Sequence, residues 1–302
     1  TIKMPKSVEE TSGLELFGDY LITHNDSGDK PKLYTINQKG EKIMEIELNQ
    51  LKNIDWEDIT ADSENFYIAD TGNNYATRET LKIYILDKDF FLKGTISIRY
   101  EAQTTFSREP KNEFDAEALA VIGDRLVLFS KNRKTLKSEI YSFPKIAGDY
   151  ILTPKAVINS DALITAADYY HEKDLVALTG YNFKGEQFFY TIRDFVKNGF
   201  DKIKPISFFG RSEVDAITST RKDNVSSNKD GTVNSSTKFH SSALFPRTPS
   251  SVAQKISALS LRTFLLSVTR VTPPVPGSTA SKATSVNLPD PQPTSKTHLS
   301  FI

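Results

Sequence analysis

The chain has 302 residues, no cysteine, and 38 basic residues against 38 acidic ones, a formal net charge of zero. The missing thiols exclude disulfides, thiolate zinc sites and a cysteine nucleophile, and the balanced charge offers no global field for nucleic acid or an anionic membrane. No apolar run approaches the roughly 20 residues that a spanning helix needs, so no transmembrane segment is expected. The numbering starts at Thr1 rather than Met, which is compatible with removal of a targeting peptide.

In chain order, residues 12–16, 20–23, 32–36 and 42–48 read as short strands, with a Gly18-Asp19 turn and a polar break at His24-Asn25-Asp26-Ser27-Gly28. A second unit starts in the stretch 55–84, with strands at 59–61, 66–69 and 81–86, a break at Asp70-Thr71-Gly72-Asn73-Asn74, and a closing strand at 95–100. The third runs through 115–121, 125–129 and 139–143, broken at Ser130-Lys131-Asn132-Arg133; the fourth through 164–169, 175–178 and 188–192, broken at Thr179-Gly180-Tyr181-Asn182. Residues 215–219 open a fifth. Equivalent positions fall at Leu14, Ile59, Leu119, Ala166 and Ile217, a repeat of roughly 45 to 60 residues, the period of a four-stranded propeller blade. A sheet repeated at that period, with no helix long enough to cover it, buries its faces against copies of itself. The predicted fold is therefore all-β, a β-propeller of four-stranded blades, with about four to five blades present.

The pattern stops near Arg221. Residues 1–221 carry 29 basic and 35 acidic groups, a net of −6, whereas 222–302 carry 9 and 3, a net of +6. The latter stretch holds no Glu, Tyr or Trp and is rich in Ser, Thr and Pro. Two segments are expected: an incomplete propeller ring over 1–221, and a low-complexity tail over 222–302 that is disordered or not native to the fold.

Blade topology alone places the chemistry. If strands a to d run outward from the channel, the residues before strand a and those after strand b converge on one mouth. The first set includes Glu57, Asp58, Asp115 and Glu117; the second includes His24, Asn25 and Asp26, then Asp70, Asn73 and Asn74, then Lys131, Asn132 and Arg133. Carboxylates this close repel unless a cation sits among them, and calcium takes carboxylate and amide oxygens. Glu57, Asp58, Asn73, Glu117 and Asn132 are the candidate metal ligands, with Ca2+ as the expected cofactor. Asn25, Asp26, Trp56, Asp70, Arg78, Lys131 and Arg133 are the candidate ligand-binding residues. Plainer roles stand beside these: Asp70 to Asn74 is also a good tight-turn sequence, Trp56 a packing anchor between blades, and the three basic residues rim partners of the acids. No G-x-S-x-G elbow, Walker loop or G-x-G-x-x-G fingerprint is present.

These residues resemble a known family. Ser12-Gly13-Leu14, His24 to Gly28, Trp56-Glu57-Asp58-Ile59 after Asp55, Tyr67 to Asn74 with Arg78, and Asp115 to Leu119 look like a bacterial propeller family common in Bacteroidetes. That family is usually exported or lipid-anchored and has no settled activity. The resemblance covers about residues 4 to 221. It implies a six-bladed type of ring and a periplasmic, lipid-anchored or secreted location. More distantly, the acidic starts of the inner strands are similar to calcium-dependent propeller hydrolases of the gluconolactonase and paraoxonase kind and to esterase-like phytases. Glu57, Glu117, Asn73 and Asn132 carry over loosely, and His24 is the sole candidate for a general base on that face. The expected function is an exported binding or scaffold propeller, monomeric, whose acidic mouth takes calcium, a small polar ligand or a cell-surface partner. The alternative is a calcium-dependent esterase, lactonase or phosphoesterase.

Overall fold

A computed structural model describes residues 5–8 and 10–199 with their side chains, and 2–3, 206–210, 213–220, 225–227, 233–235, 264–271 and 296–301 by backbone alone. After β1 (Ile2–Lys3), blade 1 is β2 (Thr11–Phe17), β3 (Tyr20–Asn25), β4 (Lys32–Ile36) and β5 (Lys42–Glu47). Blade 2 is β6 (Asp58–Ala61), β7 (Asn65–Asp70), β8 (Leu81–Asp87) and β9 (Leu92–Tyr100). Blade 3 is β10 (Ala116–Ile122), β11 (Arg125–Ser130) and β12 (Ser138–Pro144); β13 (Gly148–Leu152) follows, and β14 (Ala156–Ile158) completes the blade. Blade 4 is β15 (Leu163–Tyr170), β16 (Leu175–Tyr181), β17 (Gln187–Arg193) and, after the one-turn helix α1 (Phe195–Asn198), β18 (Ile206–Gly210).

The next strands are β19 (Glu213–Thr220), β20 (Val225–Ser227), β21 (Val233–Ser235), β22 (Phe264–Val271) and β23 (Lys296–Phe301). A fifth sheet runs β19, β22, β23, β1, so the two strands from the far end of the sequence pair with β19 on one side and β1 on the other. β20 and β21 pair only with each other. The rest of the expected tail, 222–302, lies outside the described residues. The fold is a β-propeller, and its inner strands β2, β6, β10, β15 and β19 are neighbours in that order, with β19 returning to β2.

Each blade is antiparallel within itself, and its first two strands are joined by a short turn. Between β10 and β11 the chain reverses at Gly123, whose φ of 63° is a backbone conformation that glycine adopts without strain. β13 breaks the blade pattern: it leaves blade 3 and adds in parallel to the outer edge of β9 in blade 2. Its five residues carry no sequence cue for that partner.

The cores lie between blades, not within them. Ile22, Leu33, Trp56, Ile59, Phe66, Ile68 and Leu86 fill the interface of blades 1 and 2. Tyr67, Ile83, Ile96, Leu119, Leu126, Leu128 and Phe143 fill that of blades 2 and 3, and Ala118, Val127, Phe129, Ile164, Leu178 and Tyr190 that of blades 3 and 4. Successive residues of one strand thus feed opposite interfaces, as the two-residue period of a strand requires. Both faces are apolar, which is why 66–69 and 126–129 read as unbroken hydrophobic runs.

Trp56 anchors the first of these interfaces. It is fully buried, donates Nε1–H to the Lys52 carbonyl at 2.9 Å, and meets the His24 ring edge-on at 5.6 Å and Tyr84 at 6.3 Å. It presents no surface to a ligand and packs as an anchor between blades. Trp56→Ala is expected to cost about 3–5 kcal/mol, measured as the shift in urea denaturation, because the neighbouring strands cannot collapse into the void.

Candidate functional site

The inner strands begin with a repeated irregularity. Pairing skips a residue between Thr11 and Leu14, Ala116 and Ala118, Ile164 and Ala166, and Val214 and Ala216. In blade 2 the Glu57 N–H bonds the Ala69 carbonyl at 2.8 Å while Asp58 is the register partner of Ala69, so two residues oppose one. Such bulges re-aim the extra side chain. Glu57 and Glu117 occupy this position, and both carboxylates turn into the same mouth.

The segments leading into β6 and β10 add Asp55 and Asp115, and the loop after β3 adds Asp26. One carboxylate oxygen each from Asp26, Asp55 and Glu57 lies within 4.8 Å of the others, and the same holds for Glu57, Asp115 and Glu117. Glu57 belongs to both triads. It links blade 1, through Asp26, to blade 3, through Asp115 and Glu117.

The second triad carries its own counter-charge. Lys131 Nζ bonds Glu117, Arg133 Nε donates to Asp115 Oδ2 at 2.9 Å, and Arg133 Nη2 reaches Asn74 Oδ1 and lies 4.0 Å from Glu117. Asp115 is fully buried and also accepts the Asn73 N–H at 2.8 Å. Asp70, fully buried, accepts Arg78 Nη2 at 2.9 Å and the Asp55 N–H at 3.1 Å. The three basic residues therefore pair with three acids: Arg78 with Asp70, Arg133 with Asp115, and Lys131 with Glu117.

Asp26, Asp55 and Glu57 are left without a basic partner among the described residues. Glu57 is 3% exposed, and no hydrogen-bond donor among the described residues reaches its carboxylate. Burial, then Glu117, Asp26 and Asp55, push it well above the ordinary carboxylate range. Burial, then Asp26 and Asp115, raise Asp55 to about 8. Glu117 rises to about 7 through burial, with Lys131 pulling the other way. Burial disfavours the Lys131 ammonium, yet Glu117 outweighs it and the amine stays charged.

Backbone closes one side of this acid pair. A Cβ on Gly72 would stand 2.2 Å from both Asp55 Oδ2 and Glu57 Oε1, closer than any real contact. Only glycine lets the loop lie against the two carboxylates. Gly72→Ala is expected to force them apart and destabilise the chain by about 1–3 kcal/mol, read as a lower denaturation midpoint.

The other expected residues have different attachments. Asn73 Oδ1 accepts the Arg78 N–H at 3.0 Å, and Asn132 Oδ1 accepts the N–H groups of Lys134 and Thr135 at 3.0 and 2.9 Å, so both amide oxygens shape their own turns. Asp58 stands one residue beyond Glu57 and so on the opposite strand face; its oxygens accept the Ile59 and Leu119 N–H groups at 2.9 and 2.8 Å, stitching β6 to β10. Asn25 donates to the Ser7 carbonyl at 2.9 Å and to Asp29 at 2.7 Å, fixing the loop that carries Asp26. His24 is fully buried, and burial lowers its pKa to about 4, so the neutral ring is sealed in beside Trp56. Asp55 is the acid that sequence reasoning did not single out; its place two residues before Glu57, just ahead of an inner strand, is the signal that marks it.

No family model matches the chain, and no curated protein matches it. Similar solved structures include hydrazine synthase of Kuenenia stuttgartiensis, 12% identical over 62% of this chain and 51% of that one, with a TM-score of 0.38. They also include a protein of unknown function from Bacteroides caccae, 7% identical over 66% and 60%, TM-score 0.39. A third is the β-propeller domain of Myceliophteria thermophila Cps50 (Swd1), 8% identical over 68% and 75%, TM-score 0.35. The chain spans 51% and 60% of the length of the first two. No helix among the described residues is long and apolar enough to cross a membrane.

Proposed function

We propose that this chain is a binding or scaffold propeller whose acidic channel mouth takes a cation or a cation-bearing polar ligand, and that it belongs to the exported Bacteroidetes-type family its motifs resemble. The observation that carries the reading is Glu57, a carboxylate buried without a donor between two further carboxylates that also lack a basic partner. Burying such a group uncompensated is costly, and a bound cation relieves the cost. The scaffold suits this role, because the ligand groups sit on bulges and tight loops locked between blade cores rather than on free loops.

Calcium is the proposed cation. Its oxygen ligands stand about 2.3–2.6 Å away, so two ligands of one ion are separated by at most about 5 Å. The triad oxygens all lie within 4.8 Å of one another, inside that limit.

The test is a thermal-shift series with divalent cations, amines and neutral saccharides, run beside a panel of esters, lactones and phosphoesters with and without chelator. A binding propeller gives ligand-dependent stabilisation and no turnover. Chelator-sensitive turnover replaces this reading with the hydrolase one.

A further inference from the structure

We propose that the mouth holds one calcium-class ion, on Asp26, Asp55 and Glu57, and that Lys131 is the resident cation of the neighbouring triad, keeping it free of metal. This rests on the reading of the mouth as a binding face. It commits that reading to one position, one stoichiometry and one residue that enforces both.

In both triads one oxygen of each residue lies within 4.8 Å of the others, and the two share Glu57, yet they differ in what surrounds them. In the Glu57, Asp115 and Glu117 triad, an ammonium and a guanidinium already sit on the two outer carboxylates. Lys131 is 5% exposed and its Nζ lies 5.1 Å from the centre of the Tyr181 ring, so it is fixed from the far side by blade 4. A metal entering there meets a buried positive charge at contact distance. In the Asp26, Asp55 and Glu57 triad no ion pair is made among the described residues: Arg78, whose charge pulls Asp55 down, pairs with Asp70 instead.

Two observations independent of the acidity point to a ligand there. Glu57 is 3% exposed as a residue and no donor among the described residues reaches its carboxylate, though the carboxylates of buried residues are ordinarily hydrogen-bonded. The loop facing Asp55 and Glu57 is built on Gly72, where any side chain would fill the cradle. Asp26 and Asp55 are partly open to solvent, which gives the ion a path in and room to keep water ligands.

Isothermal titration of the full chain with calcium tests this, alongside Asp55→Asn, Asp26→Asn, Glu117→Gln and Lys131→Met. The expected results are one ion per wild-type chain, at least a tenfold loss of affinity in Asp55→Asn and Asp26→Asn, and two ions per chain in Lys131→Met. Far-ultraviolet circular dichroism selects the variants that fold, and Asp26, on a partly exposed loop, serves if Asp55→Asn does not. Binding that survives both Asn variants but is lost in Glu117→Gln puts the ion in the other triad and overturns the assignment. A stoichiometry that stays at one in Lys131→Met overturns the role of Lys131. If calcium is not taken up while amines or saccharides still stabilise the fold, the inference fails and the binding reading stands; if none of these acts, both fail.

Discussion

Arg133→Met is expected to lower stability by about 3–5 kcal/mol, among the largest effects of any single change at the mouth, because it strips a buried carboxylate of its partner. Asp115 is fully buried, and its two oxygens are held by Arg133 Nε at 2.9 Å and by the Asn73 N–H at 2.8 Å. Removing the guanidinium leaves one amide to satisfy the charge and also frees Asn74 Oδ1. The double variant Asp115→Asn, Arg133→Met removes both charges together, so it is expected to recover more than half of the loss. Urea denaturation of the wild type, both single variants and the double closes the cycle. A cost under about 1 kcal/mol for Arg133→Met would place the pair in the solvated regime of surface ion pairs.

The second large effect is on pH dependence. In the folded chain Asp55 is raised to about 8 from 3.8 and Glu117 to about 7 from 4.5, both first through burial. A carboxyl with a raised folded pKa binds its proton more tightly in the native state, so its contribution to stability is complete at low pH and is lost as pH rises through the folded value. His24 acts in the opposite sense: its folded pKa of about 4 lies below its ordinary 6.5, so stability grows with pH between those values. Asp62, held at about 2 by Lys145 and backbone amides against the cost of burial, changes only in more acid solution. The clean window is therefore pH 6.5 to about 8, between the ordinary histidine value and the raised value of Asp55. There, in chelator, the melting temperature is expected to fall with rising pH by several degrees, at about 2–4 °C per kcal/mol lost. Saturating calcium is expected to flatten that fall, because the ion takes the place of the protons. A melting temperature that rises or holds constant across the window in chelator would mean that these carboxyls are solvated.

Much of this architecture is legible in the sequence because propeller blades carry two signals at once. Polar breaks at Asp70 to Asn74 and Ser130 to Arg133 recur after the second strand of their blades, and the period of Leu14, Ile59 and Leu119 fixes the inner strands. Topology then brings Glu57, Glu117 and Asp26 to one mouth without any need for coordinates. Three features escape that logic. Asn73 and Asn132 look like ligands, but an amide oxygen can equally accept the backbone N–H groups of its own turn, and sequence does not distinguish the two. Asp58 and Glu57 are adjacent, so the strand period sends them to opposite sides, and the bulge that decides which one faces the mouth depends on pairing with Ala69. β13 joins a neighbouring blade in parallel, a long-range contact with no local signature.

Terbium luminescence sensitised by Trp56 tests the central claim most directly. Terbium takes the same hard oxygen ligands as calcium, and Trp56, the only tryptophan, lies in the chain between Asp55 and Glu57 with its ring buried. Selective excitation of the indole is expected to produce terbium emission that calcium displaces, that Asp55→Asn weakens, and that Trp56→Phe abolishes while binding persists. Folded chain at saturating terbium with no sensitised emission would contradict a cation at Glu57.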